Sequence, residues 1–145
     1  VSETRAHLKS VLAQTQGKVW TLIDSAGANI YEFAPLKALG EFASLQGVEP
    51  ILTCPAGMDA AEAVEMAGVF NFIHIERIII TRLDAVRRLG SAFGALTTGG
   101  YALANYTNSA IPTDACHPMT AATLSALMLR YARERLTHEP KRSHA

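Results

Sequence analysis

Apolar residues along the chain follow two alternating patterns, one typical of buried strands and one typical of helices. Short runs rich in β-branched and aromatic residues predict four strands, at 19–23, 50–54, 77–81 and 101–106. Apolar residues at helical spacing predict five helices, at 2–16, 35–47, 59–70, 87–97 and 119–136, with Ser2 and Asp59 as N-terminal caps. This alternation favours right-handed βαβ units. The predicted fold is therefore a three-layer α/β/α domain with a mostly parallel, Rossmann-like sheet.

The composition fits one globular domain without a strong electrostatic field. Of the 145 residues, 49% are hydrophobic and 18% are charged, and 13 basic residues balance 13 acidic ones. A net charge of zero gives no broad attraction for nucleic acid, so no direct nucleic-acid partner is expected. No apolar run approaches the ~20 residues of a membrane-spanning helix. We expect one domain at 1–137 and a polar tail or linker at 138–145.

The cysteines and histidines do not cluster in a way that indicates a metal site or a nucleophile. Cys54 and Cys116 form no CxxC pair and accompany no signal peptide, so reduced thiols in a cytosolic protein are expected. The five histidines show no H-x-x-x-H spacing. His117 lies beside Cys116, but no orienting partner is recognisable, so a capping or surface role is expected for both.

Polar residues follow three of the predicted strands, at 24–27, 81–84 and 107–109. In a parallel sheet, functional groups lie in the loops at the carboxyl ends of the strands, where helix N-termini also converge. We therefore expect these three clusters to face one crevice.

Two of these clusters contain an aspartate that can be interpreted in two ways. Asp24 is suited to hold a magnesium-bound water, and Gly27 can bring its N–H close to a phosphate; the alternative is an ordinary turn with Asp24 as a cap. Asp84 offers two acceptor oxygens to the adjacent N1–H and N2–H donors of guanine, which adenine does not present. Its alternative is a cap on the next helix.

In order along the chain, these clusters resemble the motifs of the signal recognition particle GTPases. Asp-Ser-Ala-Gly at 24–27 is similar to the family's Asp-Thr-Ala-Gly motif, and Thr-Arg-Leu-Asp at 81–84 is similar to its Thr-Lys-Leu-Asp guanine motif. Residues 50–60 resemble the strand that leads into the family's Gly-x-Asp-Ala helix start.

Two further stretches resemble the flagellar, FlhF-type branch of this family. Leu-Gly-Ser-Ala at 89–92 is similar to that branch, whereas the protein-targeting members usually carry a double glycine there. Tyr-Thr-Asn at 106–108, followed by Ile-Pro and by Asp114, resembles the branch's closing loop and its downstream Val-Pro-Asp. The resemblance covers about residues 8–130, and it identifies 1–137 as the C-terminal part of a GTP-binding domain.

The resemblance implies a role for each matching residue. Asp24 would act through a water molecule on the Mg²⁺ that accompanies GTP or GDP, and Gly27 would approach the γ-phosphate, so these two residues are the catalytic candidates.

The remaining matches imply a site for the base. Thr81 opens the guanine motif, Arg82 would lay its stem along the base, and Asp84 would bind the guanine edge. Asn108 and Ser109 would close over the base.

The sequence also departs from the family. Ala28 stands where the family has arginine, Arg82 replaces lysine, and Ser109 replaces glycine. No G-x-x-x-x-G-K-[ST] sequence is present, which is the P-loop that holds the β- and γ-phosphates and Mg²⁺. We therefore expect the chain alone to bind nucleotide weakly or not at all and to be inactive, as a fragment of a longer GTPase or a degenerate relative.

The resemblance implies that the parent protein acts in protein targeting or flagellar placement by GTP-dependent dimerisation, as a homodimer or with a related GTPase. It would be cytoplasmic or peripheral at the inner membrane. The family places the P-loop strand between the strands at 19–23 and 50–54, so its absence predicts either closure of the gap or an edge-paired or domain-swapped dimer. Two alternatives stay open: a non-catalytic interaction module with a degenerate GTPase fold, and an unrelated Rossmann-like enzyme.

Overall fold

The computed structural model of the protein describes residues 5–15, 20–111, 113–114 and 116–138, with the side chains of the last helix described to residue 134. The helices are α1 (Arg5–Thr15), α2 (Phe33–Ala43), α3 (Ala60–Asn71), α4 (Gly90–Gly99) and α5 (Ala121–His138). The strands are β1 (Ile51–Pro55), β2 (Arg77–Thr81), β3 (Ala102–Tyr106) and β4 (His117–Pro118), and a 3-10 turn, Leu83–Ala85, follows β2. Within these ranges no helix has both the length and the apolar character needed to cross a membrane.

The strands form one open sheet in the order β1-β2-β3-β4. β1, β2 and β3 are parallel, and β4 is antiparallel to β3. α3 connects β1 to β2, and α4 connects β2 to β3. This confirms the predicted α/β class with a mostly parallel sheet. It is compatible with a three-layer α/β/α, Rossmann-like fold in which, among the described residues, no strand lies beside the outer edge of β1.

The core forms along alternate residues of the two strands on one side of the sheet. Leu52, Cys54, Ile78 and Ile80 are buried, whereas their neighbours in the strands are more exposed. These side chains join one cluster with the buried residues of α3, which are Ala63, Met66, Ala67 and Phe70. Cys54 and Cys116 are both free, and burial raises the pKa of the Cys54 thiol, which keeps it protonated and unreactive at neutral pH.

Two glycines in α4 lie where an added side chain would collide with α3 or with Tyr101. A Cβ on Gly94 would lie 2.7 Å from Cγ2 of Val64, and a Cβ on Gly99 would lie 2.0 Å from Cε2 of Tyr101. The Tyr101 side chain is itself fixed, because it is only 6% exposed and its hydroxyl donates to the carbonyl of Ala67 at 2.7 Å. Neither glycine therefore has room for an added methyl group unless its neighbours move.

Because the hydroxyl of Tyr101 is buried, the stability of the fold should fall at alkaline pH. Burial, with a smaller effect of Cys54, raises the pKa of Tyr101 to about 12, whereas an unfolded tyrosine ionises near pH ~10. Because the pKa is higher in the folded state, the stabilisation is complete below about pH 10 and is lost as the pH rises towards about 12.

The Tyr101→Phe variant tests this dependence. At neutral pH we expect it to be less stable than wild type by about 1 kcal/mol, because the carbonyl of Ala67 loses a hydrogen bond. Urea unfolding of both proteins from about pH 8 to about pH 11.5 should show this difference shrinking as the pH rises through 10. A difference in unfolding free energy that stays constant with pH would contradict the raised pKa of Tyr101.

The second helix packs beside α3 and runs in the same direction. The Tyr31 hydroxyl, just before α2, donates to Oε2 of Glu65 at 2.9 Å, and the position of a Cβ on Gly40 lies 3.1 Å from Cγ2 of Ile73. The hydrogen bond to Glu65 raises the pKa of Tyr31. The start of α2 therefore lies near the middle of α3, and its second half lies near the residues that follow α3.

The prediction of a first strand at 19–23 is wrong over its described part. Residues 20–29 are irregular, and Trp20 and Leu22 are each 97% exposed; Val19 lies outside the described residues. A strand needs a neighbouring strand for its backbone hydrogen bonds, and these residues have none among the described elements. Their β propensity alone therefore does not produce a strand.

Other boundaries differ less from prediction. Asp59 caps α3 as predicted, with Oδ1 accepting from the backbone N–H of Ala61 at 2.8 Å. α4 begins at Gly90 rather than at 87, and the short β4 lies within the predicted loop before the last helix. The predicted cap Ser2 and the tail from 139 onward lie outside the described residues.

Candidate functional site

Thr107, the first residue after β3, joins the loops that follow β2 and β3. Its N–H donates to the carbonyl of Ile80 at 3.0 Å, which continues the pairing of the two strands by one residue. Its carbonyl accepts from the N–H of Leu83 at 3.0 Å, and its Oγ1 accepts from the N–H of Arg82 at 3.3 Å. Two of the three predicted clusters, 81–84 and 107–109, therefore lie side by side at the carboxyl ends of their strands.

The backbone at Arg82 turns sharply at this point. Arg82 has φ 60° and ψ 37°, which is the left-handed conformation that residues other than glycine rarely adopt. The bond to Thr107 holds that conformation, and the turn places Leu83 in the core while leaving the side chains of Arg82 and Asp84 exposed. The local structure thus separates one buried anchor from two charged groups that face solvent.

The exposed carboxylate of Asp84 does not cap the next helix. α4 begins at Gly90 with Leu89 at the cap position, and no side chain caps it. Asp84 lies inside the 3-10 turn instead. Among the described residues, no donor to the Asp84 carboxylate is found. The alternative interpretation of Asp84 as a helix cap is therefore wrong, and both of its oxygens are available to a ligand.

Two buried hydroxyl groups fix the loops around this turn. Oγ of Ser91, at the start of α4, donates to the carbonyl of Ala56 at 2.6 Å, and the hydroxyl of Tyr131, in α5, donates to the carbonyl of Leu83 at 2.6 Å. Both side chains are buried. Neither residue is predicted from the sequence as part of the site. Ser91 belongs to the Leu-Gly-Ser-Ala stretch, which was a signal for it, whereas no sequence pattern marks Tyr131.

A pocket of about 370 Å³ lies between the loops that follow β1 and β2. At the base of these loops, the N–H of Ala56 donates to the carbonyl of Thr81 at 2.9 Å. The pocket is at the small end of the range for ligand sites, which is roughly 300–1,000 Å³. Its lining residues are Pro55, Gly57, Met58, Arg82, Ala85 and Val86.

The loop after β3 places Asn108 and Ser109 next to Thr107. Asn108 is exposed and Ser109 is half-buried, and Oγ of Ser109 accepts from the N–H of Ile111 at 3.1 Å. That bond folds the loop back on itself. Of the predicted base-binding residues, Thr81 is the last residue of β2, and the other four lie within the two joined loops.

The third predicted cluster, 24–27, does not follow a strand, so its predicted position is wrong. Asp24 and Gly27 belong to the irregular, exposed segment 20–29, and neither lines the pocket. A Cβ on Gly27 would meet nothing within 4 Å, so no close approach requires glycine there. Asp24 does not cap a helix either, since Glu32 is at the cap position of α2. The reason is the missing first strand, which was expected to end at Asp24.

No metal centre can be assigned in the described part of the chain. Within it, no group of three or more His, Cys, Asp or Glu side chains is close enough to hold a metal ion. Cys116 and His117, adjacent in sequence, do not change this, and the ring of His117 instead lies 5.3 Å from that of Tyr106.

Comparison of the chain with models of known protein families gives no match, and comparison with curated protein sequences gives none either.

Proposed function

We propose that the chain is the base-recognising part of a guanine-nucleotide-binding domain of the signal recognition particle GTPase type, related to its flagellar, FlhF-type branch. The observation that carries the proposal is the link through Thr107. It brings the turn with Asp84 and the loop with Asn108 and Ser109 together, although they are about 25 positions apart in sequence. The order of the motifs along the chain supports the same family.

The chemistry of the two loops supports selection of guanine over adenine. The exposed carboxylate of Asp84 accepts from N1–H and N2–H of guanine, whereas adenine offers no such adjacent pair. The stem of Arg82 covers one face of the base, and Asn108 and Ser109 close the other side. A charge-assisted bidentate hydrogen bond fixes the orientation of the base as well as its identity.

The residues described do not fit the phosphates or Mg²⁺. The sequence has no P-loop, Asp24 is exposed in the segment 20–29, and no cluster of carboxylates is found among the described residues. We therefore derive no catalytic step through Mg²⁺. The chain by itself binds GTP or GDP weakly, through the base, and does not hydrolyse GTP.

In the parent protein, this part would supply base recognition to a GTPase that works through GTP-dependent dimerisation. Its partner would be a second copy or a related GTPase, and its role would be protein targeting or flagellar placement, in the cytoplasm or peripherally at the inner membrane. The motif resemblance is the support for these roles.

Titration with GDP and ADP, followed by amide NMR spectra, tests base recognition directly. GDP should shift the amide signals of 81–84 and 107–109, with an apparent affinity about tenfold higher than that of ADP. Asp84→Asn should remove this preference, because one acceptor oxygen becomes a donor that faces the donors of guanine.

The matched control is Glu76→Gln, which removes a charge at the opposite, amino end of β2. It should bind GDP as wild type does. Equal shifts with GDP and ADP, or no shifts with either, would contradict the proposal.

A second candidate is a non-catalytic protein-interaction module that keeps the GTPase fold. Its support is the exposed position of Asp24 and Gly27, together with Ala28 in place of the family's arginine. A chain that gives no GDP-induced shifts in the titration, while remaining folded, would favour this candidate.

A further inference from the structure

The outer edge of β1 is open. β1 pairs with β2 on one side, and among the described residues no strand lies on its other side. The N–H of Ala56 points to β2, and successive residues of a strand point to opposite sides, so the N–H and C=O of Thr53 point outward. The strand carries no charged side chain, and only Pro55, at its end, has no N–H to offer on the outward side. It is therefore a suitable acceptor for a further strand.

The segment Trp20–Ile23 also lacks a partner strand among the described residues. Its sequence, Trp-Thr-Leu-Ile, is rich in residues that favour strands. Trp20 and Leu22 are each 97% exposed, so these two side chains contact almost nothing in their own chain, and Ile23 is 44% exposed. Contiguous apolar side chains that remain exposed mark a surface that binds another molecule.

The segment leads into a helix that starts towards the carboxyl end of the sheet. α2 runs beside α3 in the same direction, as the contacts of Tyr31 with Glu65 and of Gly40 with Ile73 show. α3 starts at the carboxyl end of β1, so α2 also starts towards that end of the sheet. Residues 20–29 lead into the start of α2, and among the described residues no strand pairs with them.

We propose that two copies of this chain exchange the segment Trp20–Ile23, so that the segment of each copy pairs with the outer edge of β1 in the other. Each copy contains both the donor segment and the acceptor edge, which is the self-complementarity that a two-fold dimer requires. The net charge of zero gives no repulsion between copies.

A second copy supplies a partner for both the outer edge of β1 and the segment Trp20–Ile23. In one copy, Oγ1 of Thr21 donates to Oγ1 of Thr15 at the end of α1, at 3.3 Å, and no described strand pairs with the segment. Exchange pairs the outward groups of β1 and buries the side chain of Trp20, which alone removes roughly 150–250 Å² from water. The dimer is independent of nucleotide, because neither the edge nor the segment belongs to the base-binding loops.

Analytical ultracentrifugation over a range of protein concentrations tests the exchange. Wild type should be a dimer, and Leu22→Lys should be a folded monomer, because this change affects a side chain that one copy leaves exposed. Thr53→Pro removes an outward N–H without removing a bond to β2, so it should also be monomeric. The matched control is Leu129→Lys on α5, another exposed leucine, which should remain dimeric.

A mixture of the two defective variants separates exchange from other modes of association. Leu22→Lys retains an intact edge and Thr53→Pro retains an intact segment, so mixing them should restore one of the two junctions and a weaker dimer. A wild-type monomer at every concentration, including one whose segment pairs with its own β1, would overturn the proposal. So would a Leu22→Lys variant that dimerises as wild type does, since that result indicates direct pairing of two β1 edges.

Discussion

Gly99→Ala is expected to lower the free energy of unfolding by about 3 kcal/mol. The added Cβ would lie 2.0 Å from Cε2 of Tyr101 and 2.7 Å from its Cζ, far inside contact distance. The ring cannot turn away, because it is buried and its hydroxyl is bonded to the carbonyl of Ala67. The clash must instead displace the end of α4 or the ring of Tyr101, which disrupts the packing of this ring and its hydrogen bond to α3. The gain in helix propensity, at most about 1 kcal/mol, does not offset this.

Gly68→Ala is the matched control for this prediction. Gly68 lies in α3, and a Cβ there would meet nothing within 4 Å. It should therefore stabilise the fold by roughly 0.5–1 kcal/mol through helix propensity alone. Urea unfolding followed by circular dichroism measures both variants, and a Gly99→Ala protein as stable as wild type would contradict the packing described for Tyr101.

Parts of the fold could be predicted because their signals are local and agree with their burial. The strand Arg77–Thr81 has the predicted bounds, since three consecutive isoleucines suit a central strand and no other element. Asp59 caps α3 as predicted, because a cap is decided by a few neighbouring residues. Both predictions depend on short-range chemistry that the sequence contains in full.

The segment Trp20–Ile23 shows the opposite case. Its residues favour a strand, yet a strand exists only when a second strand supplies its hydrogen bonds, and the described sheet offers none that reaches it. The expected position of Asp24 depended on that strand and failed with it. The residue types therefore predicted that the segment favours a strand, but not whether a second strand is there to pair with it.

The candidate site was predictable to the same extent. The two loops after β2 and β3 could be brought together from the sequence, because adjacent parallel strands end at the same edge of a sheet. The left-handed turn at Arg82 and the anchoring hydroxyls of Ser91 and Tyr131 could not, because they arise from contacts between residues 25, 35 and 48 positions apart. The fold alone hosts many functions, so the proposal of base recognition rests on the link through Thr107 and not on the architecture.

Ile78→Ala is expected to cost about 4 kcal/mol, because it removes three buried methyl or methylene groups at the centre of the sheet. Ile78 is fully buried, lies opposite Leu52 in β1 and Leu103 in β3, and is covered by the core cluster that includes α3. The neighbouring Ile79 is only half-buried on the other face, so Ile79→Ala is the matched control, with an expected cost of about 1 kcal/mol.

The difference between these two variants tests which face of the sheet contains the core. A loss of about 4 kcal/mol is a large fraction of the ~5–15 kcal/mol that stabilises a typical domain. The Ile78→Ala protein should therefore unfold at a clearly lower urea concentration than wild type. Urea unfolding at one temperature measures both costs. Equal losses at the two positions would mean that both faces are equally covered, in conflict with the alternation of buried and exposed residues along β1 and β2.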